Sequence, residues 1–220
     1  MVGRSAPAKP RAPLTREQVL RAGISFANEC GIEALSMRRL GRRLGVEAMS
    51  LYNHVSGKDD MLDGMVDLVW SEVTPPPARG DWRAAIRKTA VSAHKLLLQH
   101  PWAGNLTISL GRIHPARLRY IDAILGRLTK AGLPEELIYH GYHAIDSHVI
   151  GFSMWVSGHS VGLEKRAKVA PPEVLPFDPA ELAHLGEHAR QHRTGVGPNN
   201  KDEFTFVLDL ILEGLDRARV

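Results

Sequence analysis

The sequence is poor in cysteine and aromatic residues and has no long apolar run. One cysteine, Cys30, among 220 residues excludes an internal disulfide, and we expect this lone thiol to be buried. No apolar stretch approaches the roughly 18 residues that a membrane span needs, and the N-terminus carries no apolar signal core. We therefore expect a cytoplasmic protein that does not engage a membrane.

Positive charge is concentrated near the N-terminus. Residues 1–58 hold ten Lys and Arg against four Asp and Glu, a net charge of +6. The remaining residues hold eighteen against twenty, a net charge of −2. A basic segment ahead of a nearly neutral body favours a polyanionic partner for the first segment alone.

The first helix signal follows a segment that lacks one. Residues 1–14 are basic and rich in Pro and Ala, so we predict a flexible arm. Thr15 with Gln18 three residues later has the spacing of a capping box, which predicts the start of a helix. Gly31 supplies the stop signal.

Two shorter helices are predicted next. The second begins at Ser36 and ends at Gly45, and the third covers about 48–54. The third is too short to be stable alone, so it must pack through Leu51 and Val55. Three short helices with a glycine turn between the second and third are typical of a helix-turn-helix.

Helical patterns also dominate the rest of the chain. A helix from Lys58 to about Val73 precedes Pro75-Pro76-Pro77, which predicts a boundary between a domain of residues 15–74 and one of residues 75–220. We predict further helices over about 81–99, 115–132, 134–158, 178–192 and 202–217, with a loop over 159–177. No strand pattern is present, so the predicted fold is all-α, with a three-helix domain and a larger helical domain.

The helix-turn-helix segment carries a family resemblance. Its matching residues are Gly45-Val46, Leu51-Tyr52-x-His54-Val55 and Lys58-Asp59-x-Met61-Leu62. Residues 15–73 closely resemble the DNA-binding domain of the TetR-family transcriptional repressors. A weaker resemblance to the tetracycline-repressor-like branch continues through Trp82, His100-Pro101-Trp102 and Ala131-Gly132-Leu133.

The polar side chains of the third helix and the lysine after it suit DNA contacts, because they offer donors and acceptors to phosphates and base edges. The resemblance implies that the DNA-facing residues are Arg38, Ala48, Met49, Ser50, Tyr52, Asn53, His54 and Lys58. Ala48 and Met49 replace a polar residue and a proline of the tetracycline-responsive members, so we expect a different operator. Met49 suits contact with a thymine methyl group.

Two of these assignments have structural alternatives. Tyr52 is also suited to be an aromatic wedge that packs the small domain. The cluster of Arg38, Arg39, Arg42 and Arg43 is alternatively a solvated helix face.

The resemblance also implies roles for the larger domain. It would form a homodimer through a four-helix bundle of segments 135–158 and 202–217, with Phe206, Leu210 and Leu215 at the interface. It would also bind a small, mostly apolar effector that releases a palindromic operator, with the helix after Lys58 as lever. The expected pocket residues are His94, Leu97, Trp102, Asn105, Leu106, His143, Ser147, Gly151 and Trp155.

Three alternatives compete with this reading. Residues 158–162 fit G-x-S-x-G, so Ser160 is a candidate hydrolase nucleophile, but that motif needs a preceding strand where the pattern predicts helix. His184, His188 and His192 share one helical face, which suits either a zinc ion or solvent. A DNA-architectural protein without an effector is the third, although a body of some 145 residues exceeds that role. We expect no enzyme activity, cofactor or metal.

Overall fold

Over residues 13–112, 114–167, 178, 181–194 and 200–219, which the structure describes, a computed structural model contains ten α-helices and no β-strand. The helices are α1 (Arg16–Cys30), α2 (Met37–Leu44), α3 (Ala48–Leu51), α4 (Lys58–Ser71), α5 (Trp82–Gln99), α6 (Pro101–Ser109), α7 (Pro115–Lys130), α8 (Glu135–Ala167), α9 (Ala183–Thr194) and α10 (Asn200–Ala218). The all-α prediction is confirmed. None of these helices is long and apolar enough to cross a bilayer.

The chain forms two compact units that divide between Met65 and Val66, inside α4. The predicted domain limits, 15–74 and 75–220, therefore stay predictions. Residues 1–12 of the predicted arm lie outside the described residues.

The first unit has one apolar core to which all four of its helices contribute. The side chains of Val19, Leu40, Leu51 and Met65 are fully buried, and Val55 is 2% exposed. The prediction that Leu51 and Val55 face inward is confirmed. Since α3 has only four residues, burial of its apolar side holds it in place.

Helix starts in both units follow the cap signals of the sequence. Thr15 Oγ1 accepts from Gln18 N at 3.2 Å, and Gln18 Oε1 accepts from Thr15 N at 2.9 Å, which completes the predicted capping box. Ser36 caps α2 and Asp81 caps α5 through their side-chain oxygens.

The second unit is built around α8. Helices α5, α6, α7 and α10 all pack against it. Its buried face includes Ile145, Val149 and Ser153, while the core residues of its neighbours include Ile86 and Leu208. A helix surrounded in this way is apolar around much of its circumference.

Several predicted boundaries are wrong. Helix α3 ends at Leu51, not His54, because the amides of His54 and Val55 both donate to the Leu51 carbonyl in a turn. Helix α8 continues to Ala167, so residues 159–167 of the predicted loop are helical and residues 168–177 lie outside the described residues. Gly158 therefore does not end α8, because a glycine inside a helix costs only about 1 kcal/mol.

Other differences concern α6, α9 and the cysteine. Helix α6, with Pro101 in its first turn, has no counterpart among the predicted helices. Helix α9 starts at Ala183 rather than near residue 178. Cys30 is exposed, which corrects the prediction of a buried thiol: it is the last residue of α1, beyond the apolar side that packs on the core.

Candidate nucleic-acid interface

The turn between α2 and α3 brings two helices unusually close. Gly45 has φ 68° and ψ 36°, the left-handed conformation that favours glycine. Gly41, one turn earlier, lies against the following backbone. A Cβ at this residue would be 2.9 Å from the Val46 carbonyl oxygen and 3.2 Å from the Ala48 nitrogen. The absence of a side chain at Gly41 therefore sets how closely α3 approaches α2.

Helix α3 buries one side and presents the other. Leu51 is fully buried, whereas Met49 is 74% exposed and Tyr52 is 46% exposed. Tyr52 thus does not act as a buried wedge, which was the structural alternative. A methionine and a tyrosine exposed next to each other offer an apolar contact for a base and a hydroxyl for a phosphate.

An ion pair braces the segment that follows α3. Arg16 donates to both carboxylate oxygens of Asp60, at 2.9 Å and 2.6 Å, and to the His54 carbonyl oxygen at 2.9 Å. Asp60 also accepts from the Ser56 amide at 2.7 Å. The Arg16 hydrogen bond lowers the pKa of Asp60 to about 2, and the Ser56 amide contributes. This brace, which the sequence analysis missed, fixes the chain between α3 and the exposed Lys58 at the start of α4.

The four arginines of α2 divide into two pairs. Arg43 donates to Glu29 and Ser25 of α1, and Arg39 donates to the Ala34 carbonyl oxygen. Both guanidinium groups also lie over the Phe26 ring, at 5.8 Å and 5.2 Å from its centroid. These two arginines brace α2 within the first unit. Arg38 and Arg42 are exposed, four residues apart.

The predicted DNA-facing residues all have accessible surface. Four are exposed and three are half-buried besides Met49; the exposed ones are Arg38, Tyr52, Asn53 and Lys58, and the half-buried ones are Ala48, Ser50 and His54. They belong to α2, α3, the turn after α3 and the first residue of α4, all in the first unit. The surface can therefore offer cations, hydroxyls and an apolar side chain together. Contact of each residue with DNA stays a prediction.

The predicted ligand-binding residues do not converge. His94, Leu97 and Trp102 are buried, whereas the other members of the set are half-buried or exposed. His143, Ser147, Gly151 and Trp155 do share one face of α8, as their spacing predicts, but that face is exposed. Asn105 of α6 is also exposed, and Leu106 is half-buried.

The rotation of α8 explains this correction. Ser153 faces α5, where its Oγ lies 2.8 Å from His94 Nδ1. Gly151 precedes Ser153 by two residues, which places it about 200° away around the helix. A Cβ added at Gly151 would have no neighbour within 4 Å, so bulk there fills no cavity of this chain.

His94 instead belongs to a buried stack of rings. Its ring lies parallel to Phe204 of α10, with centroids 3.9 Å apart, and His148 of α8 stacks on Phe204 at 4.7 Å. His148 Nε2 also lies 2.8 Å from the Phe204 carbonyl oxygen. Burial, with a smaller contribution from His148, lowers the pKa of His94 to about 4, so His94 is neutral near pH 7.

A second buried polar cluster joins α7 to α8. Nη2 of Arg117 lies 2.5 Å from both carboxylate oxygens of Asp146. The guanidinium carbon is 4.3 Å from the Trp70 ring centroid and 4.8 Å from that of Tyr120. The sequence analysis missed this pair, because 29 residues separate its members and no local spacing connects them.

The predicted interface residues of α10 lie on opposite sides. Phe206 and Leu210 are 64% and 49% exposed. Leu215 is buried within the chain, where a Cβ at Gly141 of α8 would be 2.9 Å from its methyl groups. Nine residues turn a helix by about 180° relative to its start, so Leu215 faces away from Phe206. Leu215 therefore does not share their exposed face.

The remaining motifs acquire definite surroundings. Gly158 and the residues to 162 are helical within α8, so no strand-to-helix elbow exists to strain Ser160, whose side chain lies outside the description. His184 and His188 are exposed on α9, and the side chain of His192 lies outside the described residues. The described side chains include no group of three or more His, Cys, Asp or Glu placed to hold a metal ion.

Comparison with known proteins gives matches over both units. Residues 19–65 match the family model "Bacterial regulatory proteins, tetR family", and residues 74–219 match "Tetracyclin repressor-like, C-terminal domain". The HTH-type transcriptional repressor DrrR1 of Streptomyces coeruleorubidus is 33% identical over 97% of this chain and 82% of its own length. The tetracycline repressor protein class D of Escherichia coli is 28% identical over 75% of this chain and 76% of its own.

Solved structures share the fold. The TetR family protein ActR of Streptomyces coelicolor, in complex with actinorhodin, superimposes with a TM-score of 0.73 at 23% identity, over 94% of this chain and 98% of that one. TetR from Acinetobacter baumannii superimposes with a TM-score of 0.68 at 19% identity, over 94% of this chain and all of that one.

Proposed function

Because the chain belongs to the TetR family of bacterial transcriptional regulators, which are not enzymes, we propose that it is a ligand-responsive repressor. It binds a palindromic operator as a homodimer and leaves the DNA when a small, mostly apolar effector binds. Since its partner is DNA, it acts in the cytoplasm. The observation that carries the proposal is helix α3, which is anchored by a buried leucine and presents Met49 and Tyr52 to solvent.

On DNA, α3 lies in the major groove with its exposed side toward the bases. Arg38, Asn53 and Lys58 contact phosphates around it, because cations and amides suit phosphate oxygens. Met49 is the residue that we expect to contribute most to sequence choice, since its apolar side chain suits a thymine methyl group. Ala48, Ser50 and His54 complete the contact surface, and two-fold symmetry of the protein requires two-fold symmetry of the operator.

The dimer uses the exposed apolar sides of two neighbouring helices in the second unit. On α8, Tyr139 and Trp155 are 61% and 43% exposed, and on α10 Phe206 and Leu210 are similarly open. Between the two aromatic residues of α8 lie Ser147 and Gly151, whose small size permits a partner helix to approach closely. Covering such a face twice in a symmetric contact favours an obligate dimer.

The effector binds in the second unit and shifts the protein to a state that fits adjacent half-sites less well. This shift requires only that the effector prefer one state over the other. Helix α4 transmits the change, because it begins at the DNA-facing Lys58 and ends in the second unit.

The test of DNA recognition starts from duplexes that the wild-type protein selects out of random sequence. Their consensus should be palindromic, and mobility-shift titrations then compare variants over a range of salt concentrations. Tyr52→Ala should bind more weakly, and Lys58→Ala should also lower the slope of log affinity against log salt by about 1, since one phosphate contact is lost. Lys88→Ala, which changes an exposed lysine of α5, is the matched control and should leave the slope unchanged. Wild-type binding by both α3-side variants would contradict the proposed reading surface.

The test of assembly is sedimentation at micromolar concentration. Phe206→Glu should convert the dimer to monomer, because it places a charge on the covered face. Leu118→Glu alters a leucine of α7 that is 51% exposed and lies outside this face, and it should stay dimeric. A folded wild-type monomer at that concentration would contradict the dimer.

A further inference from the structure

The second unit contains a cavity of about 210 Å³ between the end of α4, the proline segment after it, α5 and α7. Most of its wall is apolar and includes Trp70, Pro75, Pro76 and Ala123. Two hydroxyl-bearing residues, Thr89 of α5 and Tyr120 of α7, complete it. None of the pocket residues predicted from the sequence lines this cavity.

Both hydroxyls are buried without a hydrogen-bond partner. Thr89 is fully buried and Tyr120 is 5% exposed, yet neither Thr89 Oγ1 nor Tyr120 Oη makes a hydrogen bond. The comparable hydroxyl of Ser153 has both His94 and the Val149 carbonyl oxygen as partners. Because buried hydroxyls are normally paired, two unpaired ones on one cavity wall indicate a molecule that supplies the missing partner.

The surroundings favour an uncharged occupant with an oxygen atom. Arg119 is the one charged residue among the described lining residues, and it is exposed. The nearby Arg117 is already neutralised by Asp146. Burial raises the pKa of Tyr120, so its hydroxyl stays protonated and can donate. A hydroxyl or carbonyl oxygen on the ligand can pair with both Thr89 and Tyr120.

The volume sets the size of this occupant. An apolar cavity of about 150 Å³ holds benzene, so a cavity somewhat larger accommodates one ring with substituents or two fused rings. The aromatic side chains of Trp70 and Tyr120, whose ring centroids are 5.2 Å apart, supply surfaces for such a ring.

We propose that this cavity is the effector site and that its ligand is an uncharged one- or two-ring aromatic molecule bearing a hydroxyl or carbonyl oxygen, held by Thr89 and Tyr120. The assignment of the ligand as effector rests on the proposed repressor function. The site acts on α4 directly, because Trp70 belongs to the last turn of that helix and its indole donates to Thr107 Oγ1 at 2.9 Å.

The first experiment is calorimetric titration of the full chain without DNA, using 2-naphthol and naphthalene, which share a ring system and differ by one hydroxyl. Wild type should bind 2-naphthol. Thr89→Val and Tyr120→Phe should each weaken 2-naphthol binding about fivefold to tenfold and leave naphthalene binding unchanged. Because each variant removes an unpaired buried hydroxyl, its melting temperature should equal or exceed that of wild type. Thr129→Val removes an exposed hydroxyl elsewhere on α7 and is the control.

The second experiment fills the cavity. Ala123→Leu adds bulk to the wall and should abolish binding of both compounds while the protein still binds the selected DNA duplex. In a mobility-shift assay, 2-naphthol should release the duplex from wild type and not from Ala123→Leu.

Three results would overturn the proposal. They are no 2-naphthol binding by wild type, unchanged 2-naphthol binding by both hydroxyl variants, and binding to Ala123→Leu with wild-type affinity. These results differ from failure of the repressor function, which would appear as absence of duplex binding by wild type whatever the calorimetry gives. Binding of 2-naphthol at the cavity without release of the duplex would support the site and contradict its role as effector site.

Discussion

Replacement of Gly41 by alanine tests whether close approach of α2 and α3 builds the DNA-reading surface. The added Cβ would be 2.9 Å from the Val46 carbonyl oxygen and 3.3 Å from the Ala48 Cα. Ordinary contacts of this kind begin at 3.4 Å, so the backbone that leads into α3 must retreat by about 0.5 Å. The obstructing atoms are main-chain atoms, which cannot rotate away as a side chain can.

Two opposing terms set the expected magnitude. Alanine is a better helix former than glycine by about 1 kcal/mol. Overpacking a close contact costs about 1–3 kcal/mol, so we expect Gly41→Ala to destabilise the first unit by up to about 2 kcal/mol. The displacement also moves Met49 and Tyr52, and a single misplaced base contact costs about 1–3 kcal/mol. We therefore expect DNA affinity to fall at least about tenfold.

The assay is a mobility-shift titration with the selected duplex, together with hydrogen exchange of the α2 and α3 amides. Gly126→Ala is the matched control, because a Cβ at this helical glycine of α7 has no neighbour within 4 Å. The control should bind DNA like wild type and gain about 0.5–1 kcal/mol of stability. If Gly41→Ala binds DNA with wild-type affinity and its amides exchange no faster, the close approach does not position α3.

Three further predictions concern the charged and titrating groups. Asp60→Asn should lower stability by about 1 kcal/mol, a value kept small because Arg16 is half exposed to solvent. Since the pKa of Asp60 is lowered to about 2, its contribution is present above about pH 4, and the difference between wild type and variant in urea unfolding should vanish as the pH falls toward 2. For His94 the lowered pKa, about 4, means that the unfolded chain takes up the proton first. Wild type should therefore lose about 1–3 kcal/mol as the pH falls from 6.5 to 4, and His94→Gln should lack this dependence; an equal pH dependence in both would refute the assignment. Arg117→Met should destabilise by about 3–5 kcal/mol because it leaves a buried carboxylate unpaired, and adding Asp146→Leu should restore most of that loss in thermal unfolding.

Local signals predicted the reading surface well. The capping residues Thr15, Ser36 and Asp81 act as their spacing indicates, and Gly45 adopts the conformation that ends α2. These features depend on a few neighbouring residues, so sequence is sufficient to identify them. The length of α3 was overestimated, because the turn after Leu51 has hydrogen bonds that resemble a continuing helix.

Periodicity could not orient the helices of the second unit. It groups His143, Ser147 and Gly151 correctly on one face of α8, but it does not say whether that face meets α5 or solvent. Because α8 packs against several helices, most of its faces carry apolar residues, and no single stripe identifies the interior. The cavity with Thr89 and Tyr120 was missed for a related reason: it depends on side chains from separate helices.

Cys30 gives the reading units a native attachment point for spectroscopy. It is the sole cysteine of the sequence, it is exposed, and it ends α1 in the first unit. A nitroxide attached there needs no engineered residue, and a homodimer would carry one probe on each subunit. Pulsed dipolar measurements would then follow the separation of the two probes directly. Half-sites one helical turn apart lie about 34–36 Å from each other, a spacing for which such measurements are well suited.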